Sequence, residues 1–412
     1  MIKKIAIISP DTIPILLTKN APEFISISNK KYSLKDKCTR ANSSGLRCWN
    51  IANILSKDPD FLVTIFVPSI NFPGRENIDF STIKFDIQPY DLDSATWDWS
   101  EELDRKLFKQ EFNFVIIQSS YGVGFLNCSV LPNSINVILD GYSPILAELP
   151  CALIRNQNVF KKVYWKRFYE QYIALLKRAN CILYANDSQA SYYEGQLFTL
   201  GKLDWRAYQF SPLLKIPYGI NKNNIKPTNR NNSTLKLLWY GSFKSWYYPE
   251  KLIEIATKIP NISIDFVGII HPRNNKSYFS YFKKFFTNHN LKNISVIEEY
   301  QDTEIDYSDY DAGILLSRDW TEEKYSVRTR LLDMLSHGLP ILTNKTNPLF
   351  YELYKITDSL YPISIETIES DLNKYLSIKN TIKVSEDSFK YLQDTFNWEV
   401  VLEPLKNYIK IF

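Results

Sequence analysis

The stretch DAGILLSRDWTEEKYSVRTRLLDMLSHGLPILTN, Asp311–Asn344, decides the fold. It reads as strand, loop, helix, tight turn, strand. Ala312–Ser317 is an apolar run, Val327–His337 has helical spacing, and Pro340–Asn344 is apolar again. Gly338 with Pro340 behind it is a helix stop signal. Ser326 is placed to cap the helix, leaving the amides of Val327, Arg328 and Thr329 pointing outward. Free amides and the positive end of a helix dipole suit phosphate. Arg328 and Arg330 add charge beside them. Asp333, seven residues after Ser326, falls on roughly the same face, where a carboxylate can accept hydrogen bonds from ribose hydroxyls.

Outward from this stretch the same alternation fills the chain. Short apolar runs at Lys4–Ser9, Leu62–Pro68, Ile83–Gln88, Phe114–Gln118, Asn136–Leu139 and Cys181–Tyr184 are separated by helical stretches, among them Gly45–Ser56 and Phe160–Arg178. Solid runs such as VTIFV and FVII are typical of parallel strands buried on both faces. YGINKNNIKPTNRNNSTLK, Tyr218–Lys236, interrupts the pattern with Asn, Lys and Pro and reads as a linker. After it come strands at Leu235–Tyr240, Ser263–Ile270 and Ile294–Glu298, and helices at Pro249–Lys258 and Ser277–Asn288. The expected class is α/β, with two Rossmann-like domains facing a cleft: residues 1–217, a linker 218–234, a second domain 235–395, and a closing helix 396–412 that crosses back to the first. Asp11–Asn42 has no clear period and stays unassigned.

Composition narrows the function classes. The chain has 412 residues and a net charge of +4, too mild to argue for nucleic acid. Only 12 residues are glycine, against about 7% in ordinary proteins, so each is expected where a side chain would obstruct something. Five scattered cysteines with no CxxC or Cys/His spacing argue against a structural metal and for reduced thiols. The N-terminal apolar run meets Pro10 too early for a secretory signal, and no run approaches a membrane span. A cytoplasmic protein is expected. Residues 160–178 mix Lys and Arg with aromatics, which suits either a core helix with a basic face or contact with an anionic membrane. GVGFLN, Gly122–Asn127, lacks the third glycine of a dinucleotide fingerprint, so no nicotinamide cofactor is expected.

LLDMLSHGLPIL resembles the donor-binding signature of retaining glycosyltransferases of family 4, which have the GT-B fold. That pattern is Glu, seven residues, Glu, then a helix ending in Ala/Ser-x-Gly-x-Pro. Asp333 replaces the second Glu. Tyr325 stands where the first would be, with Glu322 and Glu323 two to three residues upstream. LKLLWYGSF, KIPYGIN, ANSSGLRCWNIANILSK and FNWEVVLEPL are similar to further parts of that fold. The resemblance implies a metal-independent transferase moving a hexose from a nucleoside diphosphate sugar to a glycan, glycolipid or small-molecule acceptor, as in polysaccharide or glycoconjugate synthesis. A scaffold without turnover and a nucleotide-sugar epimerase are the alternatives.

The implied donor residues are Gly45, Arg47, Gly241, His271, Ser326, Thr329 and Asp333. Lys244 and Arg328 would stabilise the leaving diphosphate. Glu323, or Glu322 beside it, would take the place of the first Glu, and Asp140, with Glu148 second, would orient the acceptor hydroxyl. All three histidines lie in the second half, so no histidine base is expected in the first. A front-face transfer needs none, because the departing phosphate can take the proton.

Overall fold

The structure, a computed structural model, describes residues 2–27, 30–33, 41–69, 72–91, 100–119, 131–153, 159–203, 211–221, 233–241, 243–268, 292–297, 305–354 and 356–412. The chain forms two compact units. Unit 1 holds Met1–Glu148, Asn156–Gly219 and Trp398–Phe412; unit 2 holds Leu149–Arg155 and Ile220–Asn397.

Unit 1 contains a sheet of seven parallel strands. In chain order they are β1 (Lys3–Ile8), β4 (Phe61–Pro68), β5 (Asp86–Tyr90), β6 (Phe114–Gln118), β7 (Asn136–Asp140), β8 (Cys181–Tyr184) and β9 (Leu213–Lys215). The spatial order is β5-β4-β1-β6-β7-β8-β9. Ile5 sits in register with Val63 on one side and Phe114 on the other. All of β6 and the second half of β1 are buried, as expected for strands covered on both faces. Pro89 is tolerated because β5 is an edge. β2 (Phe24–Ile27) and β3 (Lys30–Ser33) form a separate antiparallel pair.

These two strands fall in the unassigned Asp11–Asn42 segment. Before them, Ile13, Ile15 and Leu17 are buried in alternation, and Leu17 bridges Ile78. That is a period of two, interrupted to the eye by Pro10 and Pro14. The strand expected at Ile83–Gln88 begins three residues later, at Asp86.

Unit 2 contains six parallel strands: β10 (Leu235–Tyr240), β11 (Ile262–Val267), β12 (Ile294–Ile297), β13 (Ala312–Leu315), β14 (Ile341–Asn344) and β15 (Leu360–Ile363). Their order is β12-β11-β10-β13-β14-β15, and Leu237 of β10 meets both Ile264 and Ala312. The helix expected at 277–288 lies outside the described residues.

Helix starts follow from side-chain caps. Asn42 accepts from the Gly45 amide at 2.8 Å, Asn186 from Gln189 at 3.0 Å and Ser385 from Ser388 at 3.1 Å. The chain leaves unit 1 after Gly219 and returns at Trp398. Tyr218, expected in the linker, is instead buried in unit 1, its ring 5.1 Å from Trp398 and 5.8 Å from Tyr142. The terminal helix Glu403–Ile411 is held to unit 1 by Lys410 and Lys406 on Asp58, at 2.7 and 3.4 Å. Of the helix Val159–Arg178, Phe168, Tyr172, Leu175 and Leu176 face inward. Among the described residues no helix is long and apolar enough to cross a membrane.

Candidate functional site

In an open parallel sheet, ligands bind beyond the carboxyl ends of the strands, where the strand order reverses. In unit 2 the chain runs β10, β11, β12 and then crosses to β13 on the other side of β10. The reversal therefore lies between the ends of β10 and β13. Two loops meet there. Tyr247 bridges Ser317, the Tyr248 amide donates to the Leu316 carbonyl at 2.9 Å, and the Arg318 amide to the Trp246 carbonyl at 2.7 Å. Asn344 at the end of β14 closes the next gap, accepting from the Ser317 amide at 2.8 Å and donating to its carbonyl at 3.2 Å.

Gly241 ends β10 with φ +98°, a left-handed backbone that favours glycine. A β-carbon on it would stand 2.6 Å from the guanidinium of Arg330. That guanidinium also lies 4.8 Å from the centre of the Tyr247 ring. Lys244, three residues beyond Gly241, is half-buried in a turn in which its carbonyl accepts from the Tyr247 amide at 3.1 Å.

The segment after β13 departs from the sequence expectation. The loop becomes a short helix, Thr321–Tyr325, and the next helix begins at Thr329 rather than Val327. Ser326 does not cap it. Its hydroxyl donates to the Glu323 carbonyl at 3.4 Å, and Arg328 occupies the cap position without a side-chain cap bond. The Thr329 amide is taken by the Val327 carbonyl at 3.0 Å.

Arg328 also turns inward. Its two terminal nitrogens donate to Glu322 at 2.9 and 2.7 Å, and one of them also reaches Glu323. Asn347 donates to the other Glu323 oxygen at 3.3 Å. All three charged side chains are 1–4% exposed. Burial opposes the Arg328 charge, but the Glu322 and Glu323 carboxylates outweigh it and hold its pKa well above the ordinary value. Two carboxylates side by side in a dry place need a cation, and Arg328 meets both. Arg328 and Glu323, expected at the diphosphate and the donor sugar, are thus committed to each other.

Asp333 keeps 42% of its side chain in solvent. It accepts from the Tyr307 hydroxyl at 2.8 Å, and the Tyr307 and His337 rings stack 4.3 Å apart. Partial withdrawal from water raises its pKa, against the opposing pull of His337 and the Tyr307 bond. Nothing in the sequence pairs Tyr307 with Asp333 across 26 positions.

In unit 1 the reversal lies between β1 and β6. Gly45 is close by on its helix, and the space for its β-carbon is filled by the Thr12 carbonyl, so close packing by itself requires the glycine. Arg47 and Asp140 form a buried pair, 0% and 1% exposed, with Nε 2.8 and 3.0 Å from the two carboxylate oxygens. The remaining guanidinium nitrogens donate to the carbonyls of Pro217 at 2.9 Å and Ile216 at 3.1 Å. Burial works against the Arg47 charge, but the Asp140 carboxylate more than compensates and raises its pKa. These two side chains, expected at the donor and the acceptor hydroxyl, are buried against each other. Ser119, at the end of β6, donates to the Ser143 carbonyl at 2.6 Å, and Ser143 donates to Glu148 at 2.6 Å. His271 lies outside the described residues.

Two parallel six- and seven-stranded α/β units of this topology constitute the GT-B glycosyltransferase fold. The sequence matches no protein-family profile and no curated protein. The likeness is to solved structures. Sucrose-phosphate synthase from Thermosynechococcus elongatus superposes with a TM-score of 0.67 at 13% identity, over 100% of this chain and 99% of its own. HepE of Anabaena in complex with UDP-glucose gives 0.60 at 10% identity, over 99% and 100%. A Listeria monocytogenes protein assigned as a UDP-N-acetylglucosamine 2-epimerase gives 0.50 at 11%, over 100% and 96%.

Proposed function

We propose that this chain is a retaining glycosyltransferase that transfers a hexose from a nucleoside diphosphate sugar to an acceptor hydroxyl, without a metal, in cytoplasmic glycan or glycoconjugate synthesis. The observation that carries this reading is the placing of the Asp311–Asn344 segment. The helix bearing Asp333 and the Ser-His-Gly-Leu-Pro exit follows β13 at the reversal of the second sheet, beside the Gly241 turn.

In this reading Asp333 accepts from ribose hydroxyls, while Lys244 and the Gly241 turn meet the diphosphate. The bond between the sugar's anomeric carbon and the phosphate oxygen breaks, and its electron pair leaves with the diphosphate. The acceptor oxygen bonds to the same face of that carbon, and its proton passes to the leaving phosphate oxygen. The protein supplies position and charge.

The test is a thermal-shift screen with UDP, GDP, ADP and dTDP sugars, followed by NMR of the products. Asp333→Ala, altering a half-exposed side chain, is expected to fold and to weaken the donor about tenfold, the worth of one or two hydrogen bonds. Unchanged affinity and turnover would remove Asp333 from the site. The epimerase-like neighbour supports a second reading, in which the donor sugar changes configuration with no acceptor present. NMR of the donor incubated alone separates the two.

A further inference from the structure

Asp333 stands on the helix Thr329–Ser336, and 42% of its side chain meets solvent. A half-exposed carboxylate samples several rotamers, and a ligand that needs one of them must meet the cost of freezing it. We infer that Tyr307 and His337 are positioning residues that freeze it beforehand, so that the protein selects its donor nucleotide by the ribose hydroxyls. The inference rests on the reading of Asp333 as the acceptor of those hydroxyls and adds the residues that hold it.

Three contacts form a loop that starts and ends on Asp333. His337, four residues on and so on the same helical face, brings Nδ1 within 2.8 Å of the Asp333 carbonyl. A carbonyl only accepts, so Nδ1 carries the proton, and the bond fixes the imidazole. The Ser336 hydroxyl donates to the same carbonyl at 2.7 Å. On the fixed imidazole the Tyr307 ring stacks at 4.3 Å, with 19° between the two planes. Tyr307 comes from another element, the single helical turn Tyr307–Asp309 before β13, and its hydroxyl donates to Asp333 Oδ2 at 2.8 Å. The carboxylate is thus tied through two rings to its own backbone. Its other oxygen, Oδ1, lies 3.8 Å from His337 Nδ1. Each carboxylate oxygen has two lone pairs, so a donor from the protein leaves room for one from a ribose.

The experiment is isothermal titration of the full chain, of Tyr307→Phe, of Asp333→Ala and of the double variant with UDP, GDP, ADP and dTDP, and with the 2′,3′-dideoxy form of each. Circular dichroism and thermal melts check folding; Tyr307→Phe keeps the stacked ring and loses only the hydroxyl. For the diphosphate that binds the wild type, Tyr307→Phe should weaken binding by about 2- to 10-fold, the worth of one hydrogen bond. The double variant should bind within about twofold of Asp333→Ala, because no carboxylate is left to hold. Toward the dideoxy form, wild type and Tyr307→Phe should agree within about twofold, near the scatter of a conservative surface change. His337→Leu, which removes the stack, should follow the same pattern, and it is the measured variant if Tyr307→Phe does not fold. Wild-type affinity in Tyr307→Phe overturns the inference, as does an equal loss toward the parent and dideoxy forms, which would mark a merely structural pair. A wild type that binds the two forms alike, or binds no nucleoside diphosphate, overturns the reading of Asp333 beneath it.

Discussion

Asp140→Asn and Arg47→Met are expected to unfold unit 1 unequally. The pair is dry, with side chains 0% and 1% exposed, and removing one partner of such a pair costs about 3–5 kcal/mol because the other charge stays buried. Asp140→Asn falls near about 3 kcal/mol. The guanidinium keeps the Ile216 and Pro217 carbonyls at 3.1 and 2.9 Å and the Tyr142 ring at 5.0 Å, and an amide oxygen can still accept from Nε. Arg47→Met falls near about 5 kcal/mol, since it leaves a bare carboxylate and deprives both carbonyls of their donor. The double variant Arg47→Met, Asp140→Leu buries no charge. It should lose only about 1–3 kcal/mol, the cost of the carbonyls left without that donor. Urea unfolding followed by hydrogen exchange in Ser43–Leu55 and Asn136–Asp140 reads unit 1 by itself. If Asp140→Asn unfolds at the wild-type urea concentration but loses turnover, the pairing argument is wrong and Asp140 acts on the substrate.

Arg328→Met strands Glu322 and Glu323 in the interior of unit 2 and should cost about 3–5 kcal/mol at pH 7. Without the cation the two buried carboxyls have folded pKa values above their unfolded ones, so the deficit should shrink as the pH falls toward 5; melts of variant and wild type at both pH values check this. Gly45→Ala and Gly219→Ala place a methyl against the Thr12 carbonyl and the Trp398 indole, and each should cost about 1–3 kcal/mol by chemical denaturation. Trp398→Leu should restore part of the loss in the Gly219→Ala background alone; equal effects in both backgrounds would refute the overpacking account.

What the sequence shows best is what depends on neighbours along the chain. β6, β8 and β10 occur at their expected residues because each is a mostly apolar run between polar turns. Asp11–Asn42 hides its pattern because prolines interrupt the alternation of Ile13, Ile15 and Leu17. β9 is three residues long and none of its residues is fully buried, so it offers almost no pattern. Several glycines become intelligible only in three dimensions. Gly141 gives way to the Tyr193 hydroxyl, 2.6 Å from its missing β-carbon, and Gly313 to the Met334 sulfur.

The charged residues show where local reading ends. A basic residue near a phosphate-binding turn looks the same in sequence whether it will hold a ligand or a carboxylate of its own chain. Arg47 and Asp140 are 93 positions apart, so their pairing follows from the sheet order that brings β7 near the first long helix. Glu322 and Arg328 are only six apart, and there the sequence carries a signal: two adjacent acids ahead of two arginines. Burial decides the outcome. An arginine withdrawn from water is held where carboxylates meet it, and in unit 2 the carboxylates meet Arg328. The same choice leaves the helix that starts at Thr329 without the expected side-chain cap.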